Sequence, residues 1–531
     1  MTKKEFFGRE VYLSKLEKRI AGLKENYRQN IAIIGEDSVG KTAIIFKLLE
    51  KFHDNYILIL YIETRQETLS SFVRRFAGTL LYNLLANSGI PLKENLDYLL
   101  LKSERYIPKT CEKIRFLLNA LEKGKRNNVL TELLSLCESL HDETGKFCVV
   151  IMDEFHNLEN FKIRALYREW AKLLVAQRNT MYIIVSSRKF KTRELLSKDF
   201  SLLFGNFELM TVEPFDIKTS EDYLTAKLEE SKATTETKDF IVHFTGGNPL
   251  YLKIISDAFI RTHTPPELAE TLEQLLIESS GVLNQRFSGY LGRIINTKLS
   301  TDYLTILYSI AGGRNKIKDI AHIMHKQKKE IVSRINYLLE EDVITRNGDF
   351  LKITDRVFAF WLKFVYHQKQ NSLAFDEQSQ KEKFREGLAQ MTKDFSLNCR
   401  KPLTERMTEL LRLFEDEVLQ IEKKKVRLNH FREVKYLELN RRGLNDCLIC
   451  RSNESIWIIA IKPESLCEED IVEFSKECKR YRHKSQRRII VTLADIDMNT
   501  RLRALEEKIW TWDLNSLNQI MDYFAKPWVM V

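Results

Sequence analysis

The chain has 531 residues, 44% of them hydrophobic and 30% charged, with only 19 glycines and 9 prolines. That balance excludes a collagen-like or wholly disordered chain, and at this length it predicts several folded, helix-rich domains, because one core rarely serves so long a chain. The formal net charge of +10 is compatible with a polyanionic partner without requiring one, and no apolar run approaches the roughly 18 residues needed to cross a bilayer. The opening MTKKEFFGRE lacks the apolar centre of a signal peptide. The eight cysteines are scattered as thiols of a reducing compartment are, so a cytoplasmic protein is expected.

Residues 1–213 alternate helical stretches with short continuous apolar runs at 30–34, 56–62, 147–152, 181–187 and 207–212. Strands apolar on both faces belong in a parallel sheet covered by helices on each side, so an α/β fold is predicted. After the first run comes Gly35-Glu36-Asp37-Ser38-Val39-Gly40-Lys41-Thr42, which fits GxxxxGK[ST] in its required strand-to-helix setting. Backbone N–H groups of such a loop wrap the phosphates of ATP, Lys41 reaches the β and γ phosphates, and Thr42 offers a hydroxyl to Mg²⁺. The third run ends in Asp153 and Glu154, at the carboxyl end of a buried strand, where open α/β sheets bind ligands. Asp153 is expected to hold Mg²⁺ and Glu154 to orient the attacking water, so the pair predicts hydrolysis and not binding alone.

Residues 214–295 turn helical around FTGGNPLYL, with Pro265 and Pro266 marking a corner between helices. Taken in order, FFGRE, the P-loop, MDEFHNL, VSSR and TGGNPLYL resemble the archaeal-type ATPase family within the AAA+ and STAND group of P-loop ATPases, over residues 5–262. The resemblance implies a P-loop ATPase core with a helical lid. In it Phe7, Gly8 and Arg9 lie near the adenine, Ser187 or Arg188 takes the sensor position after the fourth strand, and Pro249 closes over the nucleotide. Arg164, Arg168 and Arg188 are candidates for an arginine finger acting between subunits, against the simpler reading of solvated surface charges. A homo-oligomer or a protein partner goes with that expectation.

Residues 296–370 read as three helices and a short hairpin around Asn347-Gly348, a winged helix-turn-helix outline. On the helix EIVSRINYLLEE, Ile331, Ile335, Leu338 and Leu339 form the apolar face. Lys329, Ser333 and Asn336 lie opposite, with Lys326 and Lys328 in the turn before. Such a face suits DNA phosphates and base edges, while packing on the lid or on a partner protein is the competing use. A polar helical connector is expected over 371–402.

Residues 403–531 read as helices at 404–421, 468–483 and 499–509 and strands REVKYLELN, DCLIC, WIIAIK and RRIIVTL. The segment resembles the PD-(D/E)xK nuclease-like domain that follows this type of ATPase, with Glu417 on the leading helix, Asp446 on the second strand and Lys462 closing the third. The resemblance implies metal binding by an aspartate and a glutamate beside the lysine. Ala460 stands where that glutamate belongs, so Glu473 or Glu477 from the next helix is expected to replace it, with Asp446 and Glu477 as metal ligands. Lys476, Lys479, Arg480, Arg482, Lys484, Arg487 and Arg488, with Tyr481 and His483 between them, suit a phosphate backbone or a solvated helix face. Two readings follow for this domain, a DNA-binding relic and a nuclease with a relocated glutamate. For the whole chain the expectation is an ATP-hydrolysing protein acting on or with DNA. The alternative is a STAND-type switch that controls oligomerisation or a protein partner.

Overall fold

The computed structural model describes residues 6–86, 91–124, 128–200, 207–229, 233–261, 268–295, 300–371, 376–421, 424–441, 444–481 and 485–530. Pro265, Pro266, Arg482, His483 and Lys484 lie outside the described residues. The chain forms two compact units, one of residues 1–215 with 248–250, the other of residues 216–247 with 251–531.

The first unit is built on β1 (Asn30–Gly35), β2 (Ile57–Glu63), β3 (Phe147–Asp153), β4 (Thr180–Ser186) and β5 (Phe207–Val212), in the spatial order β2-β3-β4-β1-β5. Every pairing is parallel. The unbroken apolar runs are explained by the two cores they feed. Ala32, Leu60, Val150 and Ile184 face one helical layer, while Ile33, Val149, Ile183 and Val185 face the other. Period-two alternation is still present, but both faces are dry. The turns after β1 and β3 both open at the carboxyl edge of this sheet.

The second unit begins with helices that include Thr235–Thr245 and most of Pro249–Arg261. Helices Ser300–Ala311, Ile317–Ile323 and Lys328–Glu340 then precede a hairpin of β6 (Ile344–Asn347) and β7 (Phe350–Ile353). A lone antiparallel bridge from Lys316 to Phe350 adds a third short partner. Helix Glu377–Arg400 follows, its N-cap Asp376 accepting a hydrogen bond from Gln378 N–H.

The last part is a mixed sheet in the order β10-β11-β12-β13-β14, formed by Glu433–Arg441, Leu444–Arg451, Ile456–Ile461, Gln486–Val491 and Ile509–Trp512. β10, β11 and β12 pair antiparallel, whereas β12, β13 and β14 pair parallel. Helix Glu468–Cys478 links β12 to β13, and Met498–Glu506 links β13 to β14.

Three elements differ from the expected ones, and one of them is the helix expected over 468–483, which ends at Cys478. The helix expected over 404–421 ends at Leu411, and β8 (Glu417–Ile421) pairs with β9 (Lys424–Leu428) in a hairpin. Asp416 adopts a left-handed conformation, φ 68°, and Leu419, Ile421, Val426 and Leu428 alternate into the core, a strand period that overrides local helix propensity. Glu417 therefore sits on a strand and not on the leading helix. The remaining difference is at the third helix, which stops at Glu506 so that Ile509–Trp512 can form the edge strand β14.

Candidate active site

The P-loop needs two unusual backbone positions, Ser38 at φ 63° and Gly40 at φ 96°, which curl the chain so that successive N–H groups point inward. At Gly35 a side chain is excluded outright, since a Cβ there would collide with the Val212 carbonyl of the neighbouring strand. Lys41 starts the helix Lys41–Lys51, and its Nζ donates to the carbonyls of Gly35, 3.2 Å, and Glu36, 2.7 Å. Burial lowers the Lys41 pKa, opposed by Glu154, Asp37, Asp153 and Glu36.

From the same helix Thr42 Oγ1 donates to Asp153 Oδ2 at 2.8 Å, so the two residues assigned to Mg²⁺ by sequence are in direct contact. Tyr61 on β2 donates to the same oxygen at 3.0 Å, and burial with the Asp153 charge pushes its own pKa up. Asp153 Oδ1 accepts from Glu154 N–H at 2.9 Å. Thr64, which sequence reasoning missed, donates to the Asp153 carbonyl at 2.6 Å, and the Thr64 carbonyl accepts from Asn157 Nδ2 at 3.0 Å. These bonds tie the chain after β2 to the end of β3.

Glu154 is held in a left-handed conformation, φ 49° and ψ 44°, which a non-glycine residue adopts only where its surroundings fix it. Here the fixing groups are Ser187, whose Oγ and N–H both donate to Glu154 Oε2 at 2.8 and 3.2 Å, and His156, whose Nδ1 lies 3.2 Å from the same oxygen. Burial raises the Glu154 pKa, opposed by Lys41 and the Ser187 donors. The His156 imidazole is driven down to about 3 by burial and by Arg188, Lys191 and Lys41, so its approach to Glu154 is that of a neutral ring and not an ion pair, and its hydrogen-bond partner is Ser186 Oγ at 3.0 Å. Arg188 caps the helix Lys189–Lys198 with its N–H on Ser186 Oγ at 3.1 Å, and Lys189 pairs with Glu36 of the P-loop at 3.0 Å.

Arg9 reaches across the loop. One guanidinium nitrogen donates to the Val39 and Glu213 carbonyls at 3.0 and 2.6 Å, and the group lies 4.6 Å over the Phe215 ring, against which Phe7 also packs at 6.3 Å. Gly8 is left-handed at φ 63°, the turn that brings Arg9 to the P-loop. Pro249 opens the helix Pro249–Arg261, where Asn248 Oδ1 accepts from Leu250 N–H at 3.0 Å. Arg164 and Arg168 are exposed, the latter 3.6 Å from Asp199.

The residues expected at the second site do not converge. Asp446 is the cross-strand partner of Ile461 and Glu438 and accepts from Tyr436 Oη at 2.7 Å. It therefore shares a face with Leu448 and Ile461, which pack in the core beneath β8 and β9. Ala460 packs in the opposite core with Cys447, Ile471 and Phe474, the side covered by helix Glu468–Cys478. Lys462 Nζ is taken by Asp470 of that helix at 2.5 Å, and buried Glu477 pairs with Arg480 at 2.9 Å. The expected metal pair of Asp446 and Glu477 is thus split across the sheet, because side chains one residue apart on a strand point to opposite faces. Among the described residues no group of three or more His, Cys, Asp or Glu could hold a metal ion. Cys447 and Cys450 likewise fall in different cores.

The basic run is also divided. Arg487 is stacked over Trp457 at 4.5 Å and Trp510 at 4.8 Å and donates to the Arg427 carbonyl at 2.9 Å, a structural use. Arg480 remains largely exposed. On the helix Lys328–Glu340, Ile331, Ile335 and Leu338 are buried, while Lys328, Lys329, Ser333 and Asn336 are exposed. Lys326 is bound by Asp302, which also takes Arg334. The hairpin tip is covered: Asp349 exchanges two hydrogen bonds with Val418, and Asn347 does the same with Gln420 at 2.8 and 2.7 Å.

Residues 6–255 match the family model described as an ATPase domain predominantly from Archaea. The Walker-type ATPase of Pyrococcus abyssi superposes with a TM-score of 0.50 at 19% identity, covering 68% of this chain and 97% of that one. The Aeropyrum pernix ORC2 protein gives 0.38 at 12% identity, with coverage of 69% and 96%. The Thermotoga maritima RuvB branch-migration motor gives 0.31 at 13%, with coverage of 70% and 98%. The last two add nothing to the fold assignment at those scores. No curated protein matches the sequence. With this domain and a P-loop fold around it the protein is an ATPase, and among the described residues no helix is long and apolar enough to cross a membrane.

Proposed function

We propose that the protein hydrolyses ATP at Lys41, Thr42, Asp153 and Glu154 and couples the nucleotide state to duplex DNA held by the helix Lys328–Glu340. The observation that carries the hydrolytic part is the 2.8 Å contact between Thr42 Oγ1 and Asp153 Oδ2. A hydroxyl and a carboxylate oxygen side by side are the hard donors Mg²⁺ takes, and they fit it beside a triphosphate. Bound there, Mg²⁺ would neutralise charge between the β and γ phosphates. Lys41 exchanges its loop carbonyls for phosphate oxygens, the loop N–H groups wrap the phosphates, and Glu154 orients the water. Arg188 stands at the sensor position, and Phe7, Gly8, Arg9 and Pro249 bound the nucleotide, with Arg9 doing so through the P-loop it holds.

We read residues 300–353 as a winged helix. Its exposed Lys328, Lys329, Ser333 and Asn336 support duplex binding through the helix, the wing tip being engaged by β8. The C-terminal sheet is read as a nuclease-like relic. Anisotropy of a labelled duplex over a salt series tests the DNA part: Lys328→Glu with Lys329→Glu should weaken binding and flatten the dependence of log K on log salt by about 0.9 for each phosphate that is no longer neutralised. No binding at low salt would leave the second reading, a STAND-type switch acting on a protein partner, which the capped wing tip favours.

A further inference from the structure

His156 is not among the residues assigned above to phosphate or Mg²⁺, yet it lies against Glu154 at the end of β3. Its Nδ1 is 3.2 Å from Glu154 Oε2 and 3.0 Å from Ser186 Oγ, while Ser186 is fully buried and already accepts the Arg188 N–H. The bond with Ser186 Oγ holds the ring edge against Glu154 Oε2, and because a carboxylate only accepts, that approach is favourable with the proton on Nδ1. The Ser187 N–H and Oγ–H both donate to that oxygen, and Oε1 carries neither of these bonds. Glu154 also sits in a strained left-handed backbone, which only its partners maintain. Lys41 from the P-loop helix, Asp153 from β3, and Arg188 and Lys191 from beyond β4 are the charged groups around the pair.

We propose that His156 is a positioning residue for ATP hydrolysis: held by Ser186 Oγ, its Nδ1 edge lies against Oε2, restricts the rotamer of Glu154 and leaves Oε1 to the attacking water. This rests on Glu154 as the water-orienting group. It separates His156 from the phosphate-binding residues, because loss of the ring edge misplaces the base without touching the groups that hold the nucleotide.

The test measures kcat and KM for ATP on the full chain carrying His156→Phe, His156→Ala or His156→Asn. Phenylalanine keeps the ring's bulk without a donor, and asparagine can place an amide N–H near the Nδ1 position. The phenylalanine and alanine variants should lose about ten- to a hundredfold in kcat with KM within about twofold, and asparagine should recover most of that loss. Full turnover in His156→Phe, or an asparagine variant as slow as the phenylalanine one, would reduce His156 to packing. A parallel Glu154→Gln separates the two ideas. If that variant turns over normally the role of Glu154 fails, whereas an inactive Glu154→Gln beside a fully active His156→Phe removes only His156.

Discussion

Two regions of this chain contain the same ingredients, a lysine and carboxylates around the end of a buried strand, β3 in the first unit and β12 in the C-terminal sheet. In the first unit they meet: Thr42 touches Asp153, Lys41 lies in the loop, and Glu154 is gripped by Ser187 and His156. In the C-terminal sheet Asp446 shares one face with Leu448 and Ile461, while Ala460 and Glu477 belong to the other. Lys462 has become a structural partner of Asp470. The difference is one of parity. A shift of a single residue along a strand moves a side chain to the opposite face, so residue types in the right order are not a site until the register agrees. The first cluster escapes this constraint because Lys41 and Thr42 come from a helix N-terminus and Glu154 from the turn after β3, where direction is set by local backbone.

The largest effects that could break this contrast lie in the first cluster. Lys41→Ala should abolish nucleotide binding measured with a fluorescent ATP analogue. Glu154→Gln should still bind but lose roughly a hundredfold or more in turnover; normal turnover would show that the cluster is assembled without being used. In the second cluster the expectation is opposite. With the Lys41→Ala background removing the ATP site, titration with Mn²⁺ in a calorimeter should show no binding that Asp446→Ala or Glu477→Ala removes. A saturable heat that disappears in both variants, with cleavage of duplex DNA, would mean that the two faces are brought together.

A buried ion network in the second unit provides the next test. Asp522 accepts from Arg356 at 2.7 Å, Lys352 at 2.5 Å and Trp528 Nε1 at 2.8 Å, and Arg356 also lies 3.1 Å from buried His243. Burial alone would push the Asp522 carboxyl up, but Arg356 and Lys352 outweigh it and hold it below the usual range. A depressed carboxyl contributes stability that is present above its unfolded-state pKa and lost as pH falls through the folded one, so this contribution should disappear only in acid below the ordinary aspartate range. Arg356→Ala leaves a buried charge short of its partner and should cost about 3–5 kcal/mol, read by urea unfolding. Unfolding at neutral pH within about 1 kcal/mol of the parent would show the network to be dispensable. The smallest effect separates two arginines of the basic run. Arg487→Gln should destabilise by about 2 kcal/mol by removing the stacking on Trp457 and Trp510, whereas Arg480→Gln, which removes a largely exposed partner of buried Glu477, should lower the melting midpoint by less.

The five strands of the first unit were legible because each is a continuous apolar run bounded by polar turns, and the P-loop because its spacing is tied to a strand-to-helix setting. The hairpin β8–β9 was not, since residues 404–421 carry enough helix formers to read as one helix. Only packing of Leu419, Ile421, Val426 and Leu428 into the C-terminal core selects the strand period there. Thr64 and Ser186 gave no signal, being ordinary residues at strand ends until the fold sets them beside Asp153 and His156. His156 was visible within MDEFHNL but without a role, because nothing local says that its ring will meet a carboxylate two residues back.

By itself the sequence determined the α/β class, the strands of the first unit's sheet and the placement of Lys41, Thr42, Asp153 and Glu154 at the ends of those strands, because each depends on short-range spacing and on the number of faces a strand must bury. The tertiary structure alone decided that Asp446 and Glu477 stay apart, that the wing tip is covered by β8, and that Arg487 is stacked between two indoles. Those outcomes depend on register and on contacts between distant segments, and a one-residue change in pairing reverses a side chain's face while leaving the local pattern almost the same.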